Sequence, residues 1–384
     1  MRTRSILPLL FAAGSIFAGE SGAPTQSALK EAFKPHFLVG AALNENQFTE
    51  RDARGAALIK AHFNSITPEN VLKWELVHPE PETYDFGPAD AYVRFGESNR
   101  MVIVGHTLVW HHQTPDWVFH KEDGSLVSRE VLLATMSNHI HTVVGRYQGR
   151  IRGWDVVNEA LNEDGTMRNN YWMQVIGPDY VRKAFEFAHA ADPKAELYYN
   201  DFSLENEPKR QGALKLVRKL KAAGIPLAAV GLQNHDKMDW PTCGQLGETI
   251  DAFSKEGLKV MITELDVDVL PAAGAAQTAE VGLRVKSRDE LNPYSKGLPE
   301  DVQQSLARRY AEIFAVLLKH QNQISRVTFW GVTDADSWLN NWPVRGRSSY
   351  PLLFDRDGNP KPAFDSVIRS TKRDQTRAAA IVDP

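Results

Sequence analysis

The stretch Leu227-Ala-Ala-Val-Gly-Leu-Gln-Asn-His235, then Cys243-Gly-Gln-Leu-Gly-Glu-Thr-Ile-Asp-Ala-Phe-Ser-Lys-Glu256, then Lys259-Val-Met-Ile-Thr-Glu264-Leu-Asp266 decides the fold. Two short apolar runs of strand length flank a segment of helical length, and two strands joined through a helix run parallel. The same unit recurs in both directions along the chain. Strands are expected over 37–41, 64–67, 101–107, 153–157, 196–199, 227–232, 259–263 and 326–331. Helices are expected over 50–62, 129–147, 179–190, 209–223, 243–256, 301–320 and 363–371. Eight strands alternating with helices predict a closed (β/α)8 TIM barrel in a single domain. A doubly wound open sheet is the competing topology. It normally carries a Gly-rich turn after its first strand, and Gly40-Ala-Ala-Leu-Asn-Glu45 has no such pattern.

Composition narrows the class further. The chain has 384 residues with 42% hydrophobic content, enough for a large core, and a formal net charge of -4. That charge offers no footprint for nucleic acid. The start Met1-Arg-Thr-Arg-Ser5, an apolar run to Phe17 and the small residues Ala18, Gly19, Ser21, Gly22 and Ala23 read as a signal peptide over 1–23. The product is therefore expected to be exported, to the periplasm or outside the cell. The apolar run is too short for a membrane anchor. The catalytic unit is expected over 24–372, with a short polar tail over 373–384, and the chain is expected to act as a monomer. Cys243 is the sole cysteine and has no intrachain disulfide partner.

In a (β/α)8 barrel the chemistry sits where the strands end. Those ends carry Glu69, Asn70 and Lys73; His106, Trp110 and Gln113; Asn158 and Glu159; Gln233 and His235; Glu264 and Asp266; and Trp330 and Trp338. Neutral hydrogen-bonding groups and indoles around two carboxylates suit an uncharged polyhydroxylated ligand. Hydrolysis of a glycosidic bond needs two carboxylates, one holding a proton for the leaving oxygen and one attacking carbon or activating water. Each glutamate taken alone is more often a solvated loop residue. A metal centre built on His106, His111 and His112 is disfavoured, because adjacent strand residues point to opposite faces and no HExxH pattern or further cysteine joins them. No cofactor is called for. A non-catalytic carbohydrate-binding barrel would keep the tryptophans but typically lose one carboxylate, whereas both are present.

The chain resembles glycoside hydrolase family 10, the retaining endo-β-1,4-xylanases. Seven strings carry the resemblance in order: Pro68-Glu-Asn-Val-Leu-Lys-Trp74, Gly105-His-Thr-Leu-Val-Trp-His111, Trp154-Asp-Val-Val-Asn-Glu-Ala160, Tyr199-Asn-Asp201, Gly231-Leu-Gln-Asn-His235, Ile262-Thr-Glu-Leu-Asp266 and Phe329-Trp-Gly-Val-Thr-Asp-Ala-Asp-Ser-Trp338. The resemblance implies that Glu159 is the general acid/base and Glu264 the nucleophile, with xylan or a xylo-oligosaccharide as substrate. It also implies that His235 and Asp266 hold Glu264, and that Asn158 bonds the 2-hydroxyl of the sugar at the cleavage site. His106 and Gln233 would orient that sugar. Glu69, Asn70, Lys73 and Gln113 would meet the next one, between walls made by Trp110, Trp330 and Trp338. Tyr171, Trp172 and Asn200 would border the leaving-group side. Two like charges side by side are unfavourable, so Glu159 is expected to keep its proton while Glu264 is ionised.

Two features depart from the family pattern. Asn234 stands where many relatives carry a small residue before the histidine. The long irregular stretch 269–299 follows the second glutamate, and a loop of that length after a catalytic strand is expected to wall the cleft, with Pro293-Tyr294 as a rigid aromatic edge. A β-1,4-glucanase is the nearest alternative activity, differing in room for one hydroxymethyl group.

Overall fold

The computed structural model describes residues 27–273 and 281–382, so the expected leader over 1–23 lies outside the described residues. Strands β1 (Leu38–Leu43), β2 (Ser65–Pro68), β3 (Val102–Val109), β4 (Gly153–Asn158), β5 (Glu196–Asp201) and β6 (Leu227–Leu232) pair in chain order. A short strand, β7 (His235–Lys237), follows. β8 (Lys259–Asp268) then pairs with β6, and β9 (Ile324–Phe329) pairs with both β8 and β1. Leaving β7 aside, eight parallel strands close on themselves, so the barrel has no open edge.

A helix returns the chain after each barrel strand: Ala53–His62, Gly87–Ser98, Arg129–Arg146, Tyr180–Ala191, Glu207–Ala222, Cys243–Lys255, Glu300–Lys319 and Pro362–Val382. Several begin with side-chain caps. Asp52 accepts from Gly55 N–H, Ser128 from Val131 N–H, and Thr242 forms a reciprocal capping box with Gln245. Each such cap contributes about 1 kcal/mol by satisfying an otherwise orphaned N–H. The main apolar core lies between strands and helices, with Tyr92, Met136, Phe185, Val217, Ile250 and Phe314 contributed from the helix side. A separate small cluster of Val104, Tyr198, Ala229 and Met261 comes from β3, β5, β6 and β8. Among the described residues, no helix is long and apolar enough to cross a membrane.

Three differences from the sequence reading have physical causes. A helix forms over Gly87–Ser98, outside the expected set: Pro88 sits in the first turn, where a missing N–H costs little, while Tyr92, Val93 and Phe95 turn into the core. β8 runs on to Asp268, so Glu264 and Asp266 lie within the strand rather than beyond its end. The last helix continues to Val382, through most of the segment assigned to a tail.

The added strand β7 positions the site. It pairs parallel with the far half of β8, setting His235 opposite Asp266. Asn234, just before it, has φ 57°, a left-handed backbone that asparagine tolerates better than most residues, and its amide donates to Asp236 Oδ1 at 3.1 Å.

Candidate active site

β4 ends at Asn158, and the next residue, Glu159, has φ 58°. Its N–H donates to Asn200 O on β5 at 2.9 Å, which anchors the turn to the neighbouring strand. The Glu159 side chain is 3% exposed. Its Oε1 accepts from Asn158 Nδ2 and from Gln233 Nε2, both at 2.9 Å, and its Oε2 accepts from Trp110 Nε1 at 2.8 Å.

Glu264 is held from the opposite side of the rim. Its Oε1 accepts from Asn200 Nδ2 at 2.8 Å, and its Oε2 lies 3.1 Å from His235 Nε2. The other nitrogen of that ring, His235 Nδ1, lies 3.1 Å from Asp266 Oδ2. Burial alone would lower the pKa of His235, but the flanking carboxylates of Asp266 and Glu264 outweigh it and push the ring up to about 10. The ring is therefore an imidazolium at neutral pH, hydrogen-bonded to Glu264 through Nε2 and ion-paired with Asp266 on its Nδ1 side. Burial would likewise raise Glu264. The His235 hydrogen bond and charge, with His106 and Asn200, reverse that and hold its carboxyl below the ordinary value of 4.5.

Amide side chains join the two carboxylates. Asn158 Oδ1 accepts from Asn200 Nδ2 at 2.8 Å and from Gln233 Nε2 at 3.3 Å. Thr263 donates its hydroxyl to Asn200 Oδ1 at 2.7 Å, which turns the Asn200 amide N–H toward Glu264. Asn200 is the residue whose part the sequence reading missed. It was placed on the leaving-group side, whereas it connects Asn158 to the nucleophile candidate. Asp155 was also missed; it accepts from His106 Nδ1 at 2.9 Å and fixes that ring.

The remaining expected residues gather in the same pocket. Lys73 is 7% exposed and donates to Gln113 Oε1 at 2.9 Å and to Asn70 Oδ1 at 3.2 Å, with its ammonium 4.9 Å from the Trp110 ring centroid. Burial lowers the Lys73 pKa, opposed by the charges of Glu264, Glu69 and Glu159. Burial raises that of Glu69, opposed by Lys73. Trp330 meets His106 edge-on at 5.5 Å, and Trp338 stacks on Trp342 at 4.5 Å. The long loop does reach the cleft, but through Val281. Tyr294 instead docks away from it, its carbonyl accepting from the Tyr350 hydroxyl at 2.8 Å. Trp172 is buried and donates to Trp110 O at 2.9 Å, so it props the wall from behind. Tyr171 is 43% exposed and lines a second pocket with His111, His112, Arg168 and Gln174.

A closed (β/α)8 barrel whose strand ends hold two buried, amide-bridged glutamates between indole walls has the build of a polysaccharide-cleaving hydrolase. The model of glycosyl hydrolase family 10 matches residues 28–370. An endo-1,4-beta-xylanase A from Xylanibacter ruminicola is 44% identical, over 90% of this chain and 94% of the relative. A beta-1,4-xylanase from Dictyoglomus thermophilum is 42% identical, over 89% of this chain and 90% of the relative. A solved GH10 endoxylanase retrieved from a sugarcane soil metagenome superposes with a TM-score of 0.87 at 44% identity, covering 89% of this chain and 99% of that one. The chain belongs to glycosyl hydrolase family 10.

Proposed function

We propose that the protein is an endo-1,4-β-xylanase that cleaves xylan with retention of configuration by double displacement. The observation that carries this reading is the asymmetry of the two glutamates. Glu264 sits against an imidazolium that stabilises its anion, whereas Glu159, where β4 ends, is held by neutral N–H donors alone. In the first step Glu264 attacks the anomeric carbon while Glu159 gives its proton to the departing glycosidic oxygen. In the second, Glu159 takes a proton from water, which displaces Glu264. Asn158 bonds the 2-hydroxyl, a contact that strengthens as oxocarbenium character develops. Lys73, Asn70, Glu69 and Gln113 bind the next sugar by charge-assisted hydrogen bonds, and the indoles of Trp110, Trp330 and Trp338 present flat faces to the pyranose rings.

Family membership, the curated xylanases over nearly the whole chain, and the conjunction of Glu69, Asn70 and Lys73 in one pocket support xylan as the substrate. Export through the leader Met1–Ala23 and action as a monomer complete the reading. The deciding experiment is proton NMR of early products from xylotetraose. A β-anomer as first product is expected, and an α-anomer excludes double displacement. On an activated aryl xylobioside, Glu159→Ala is expected to be rescued by azide with formation of the β-xylobiosyl azide, because a good leaving group needs no acid. Rescue of Glu264→Ala instead, with the opposite anomer, reverses the two roles.

A further inference from the structure

The carbonyl of Glu159 accepts from Arg168 Nε at 3.2 Å, and the carbonyl of Leu161 accepts from Arg168 Nη2 at 3.3 Å. The Arg168 backbone N–H donates to Ala160 O at 2.8 Å. One planar guanidinium thus spans the turn that leaves β4. That turn opens on Glu159 at φ 58°, a left-handed conformation that a residue with a side chain keeps only where its surroundings enforce it.

The chain is built to bring Arg168 back to this place. Leu161 bridges Met167 antiparallel, and Asn162 N–H donates to Thr166 O at 2.9 Å, closing a hairpin on the Asp164-Gly165 tip. The tip is docked on the helix Glu207–Ala222. A Cβ on Gly212 would lie 2.2 Å from Gly165 O, so the two backbones touch. Glu163 lies 3.2 Å from the buried Lys209 Nζ, which in turn lies 3.1 Å from Asp201. The guanidinium is therefore fixed from the far side of the hairpin, and Arg168 lines the pocket shared with His112 and Tyr171.

We propose that Arg168 is a positioning residue for the general acid: it holds the left-handed turn so that the Glu159 carboxyl meets the leaving-group oxygen. The inference rests on the reading of Glu159 as acid/base. Loss of the guanidinium leaves Glu159 in place chemically but lets its backbone relax, so protonation of poor leaving groups suffers most. A misplacement that weakens general acid catalysis, an effect worth roughly 100- to 10,000-fold in full, shows chiefly where the leaving group needs a proton.

The test compares Arg168→Met, Arg168→Lys and Glu159→Ala on phenyl and 2,4-dinitrophenyl β-xylobiosides, with thermal melting of each variant. For Arg168→Met the loss in kcat/KM on the phenyl substrate is expected to exceed that on the dinitrophenyl substrate by about 10-fold or more. Arg168→Lys, which keeps one donor, is expected to fall between this variant and the wild type; should Arg168→Met not fold, the lysine variant is read by the same ratio. Equal losses on both substrates, or a drop in melting temperature with no change in the ratio, overturn the proposal. Glu159→Ala separates the two levels. If it shows no leaving-group dependence, the acid assignment itself falls, and if it does while the Arg168 variants do not, only the role of Arg168 falls.

Discussion

The indole N–H of Trp338 donates to Asp266 Oδ2 at 2.8 Å, and the same oxygen lies 3.1 Å from His235 Nδ1. Trp338 therefore does more than wall the cleft. It is the last link of the chain Glu264–His235–Asp266–Trp338, and its ring packs 4.8 Å from the His235 ring while stacking on Trp342.

Two substitutions separate those duties. Trp338→Phe keeps an aromatic face but removes the donor to Asp266. A hydrogen bond to a charged group is worth about 1.5–3 kcal/mol, so kcat/KM is expected to fall by roughly 10-fold or more, alike on aryl xylobioside and aryl cellobioside. Trp338→Ala also relieves crowding near the carbon that bears the hydroxymethyl group in glucose, so it is expected to narrow the preference for xylobioside. Exclusion of one such group is worth only about 1–3 kcal/mol. A ratio unchanged in the alanine variant moves discrimination elsewhere, and Val281 is the next residue to vary.

The barrel and most of the rim were legible because they depend on local pattern. Apolar runs of strand length alternating with helices reveal a parallel barrel, and polar residues closing those runs must then share one rim. What was not legible depends on long-range register. That β7 pairs with β8, bringing His235 opposite Asp266, follows only from the closed sheet. The bridging part of Asn200 depends on Thr263, from another strand, fixing which way the amide faces. The left-handed turn at Glu159 is imposed by contacts to Asn200 and Arg168, neither adjacent in sequence. Val281 comes from a loop with no periodicity, so nothing in its own sequence distinguished it from Tyr294.

Asn200→Ala removes a donor from Glu264 and another from Asn158 in a single change, while Thr263 retains Leu232 O as acceptor at 3.2 Å. A loss of roughly 10- to 100-fold in kcat/KM is expected, from about 1.5–3 kcal/mol of charge-assisted bonding, with kcat changing more than KM. Steady-state kinetics on xylotetraose measure it. A loss under about 3-fold means that the amide bridge does not act on the nucleophile.

The acid limb of activity reports how Glu264 is kept ionised. Burial would raise its carboxyl, and His235 is the largest influence that opposes this, so the wild-type limb in kcat/KM is expected below 4.5. His235→Ala removes a positive donor, which makes the carboxylate harder to form, and the limb is expected to move up by about one pH unit or more. A dinitrophenyl xylobioside is the substrate of choice, since its leaving group needs no proton and Glu159 does not enter the profile. A limb that stays in place or moves down assigns control of Glu264 to other neighbours.

Glu205 is 2% exposed, with its Oε1 lacking a hydrogen-bond partner among the described residues. Burial pushes its carboxyl up to about 7, against its own backbone N–H and the charges of Lys209 and Arg210, with Glu163 adding to the rise. The folded chain thus keeps this proton up to pH of about 7, whereas the unfolded chain releases it near the ordinary value of 4.5. Between those values the folded state binds more protons, so the stabilisation is full below 4.5 and is lost as pH rises through 7. Glu205→Gln, which never has to ionise, is expected to melt higher than the wild type at pH 8 and no higher at pH 4.5. A pKa difference of this size corresponds to roughly 3 kcal/mol, and thus to a few degrees in melting temperature for a domain this large. Calorimetry at the two pH values decides it. A gain of equal size at both would mean that the glutamine improves packing or hydrogen bonding, and that ionisation of Glu205 does not limit stability.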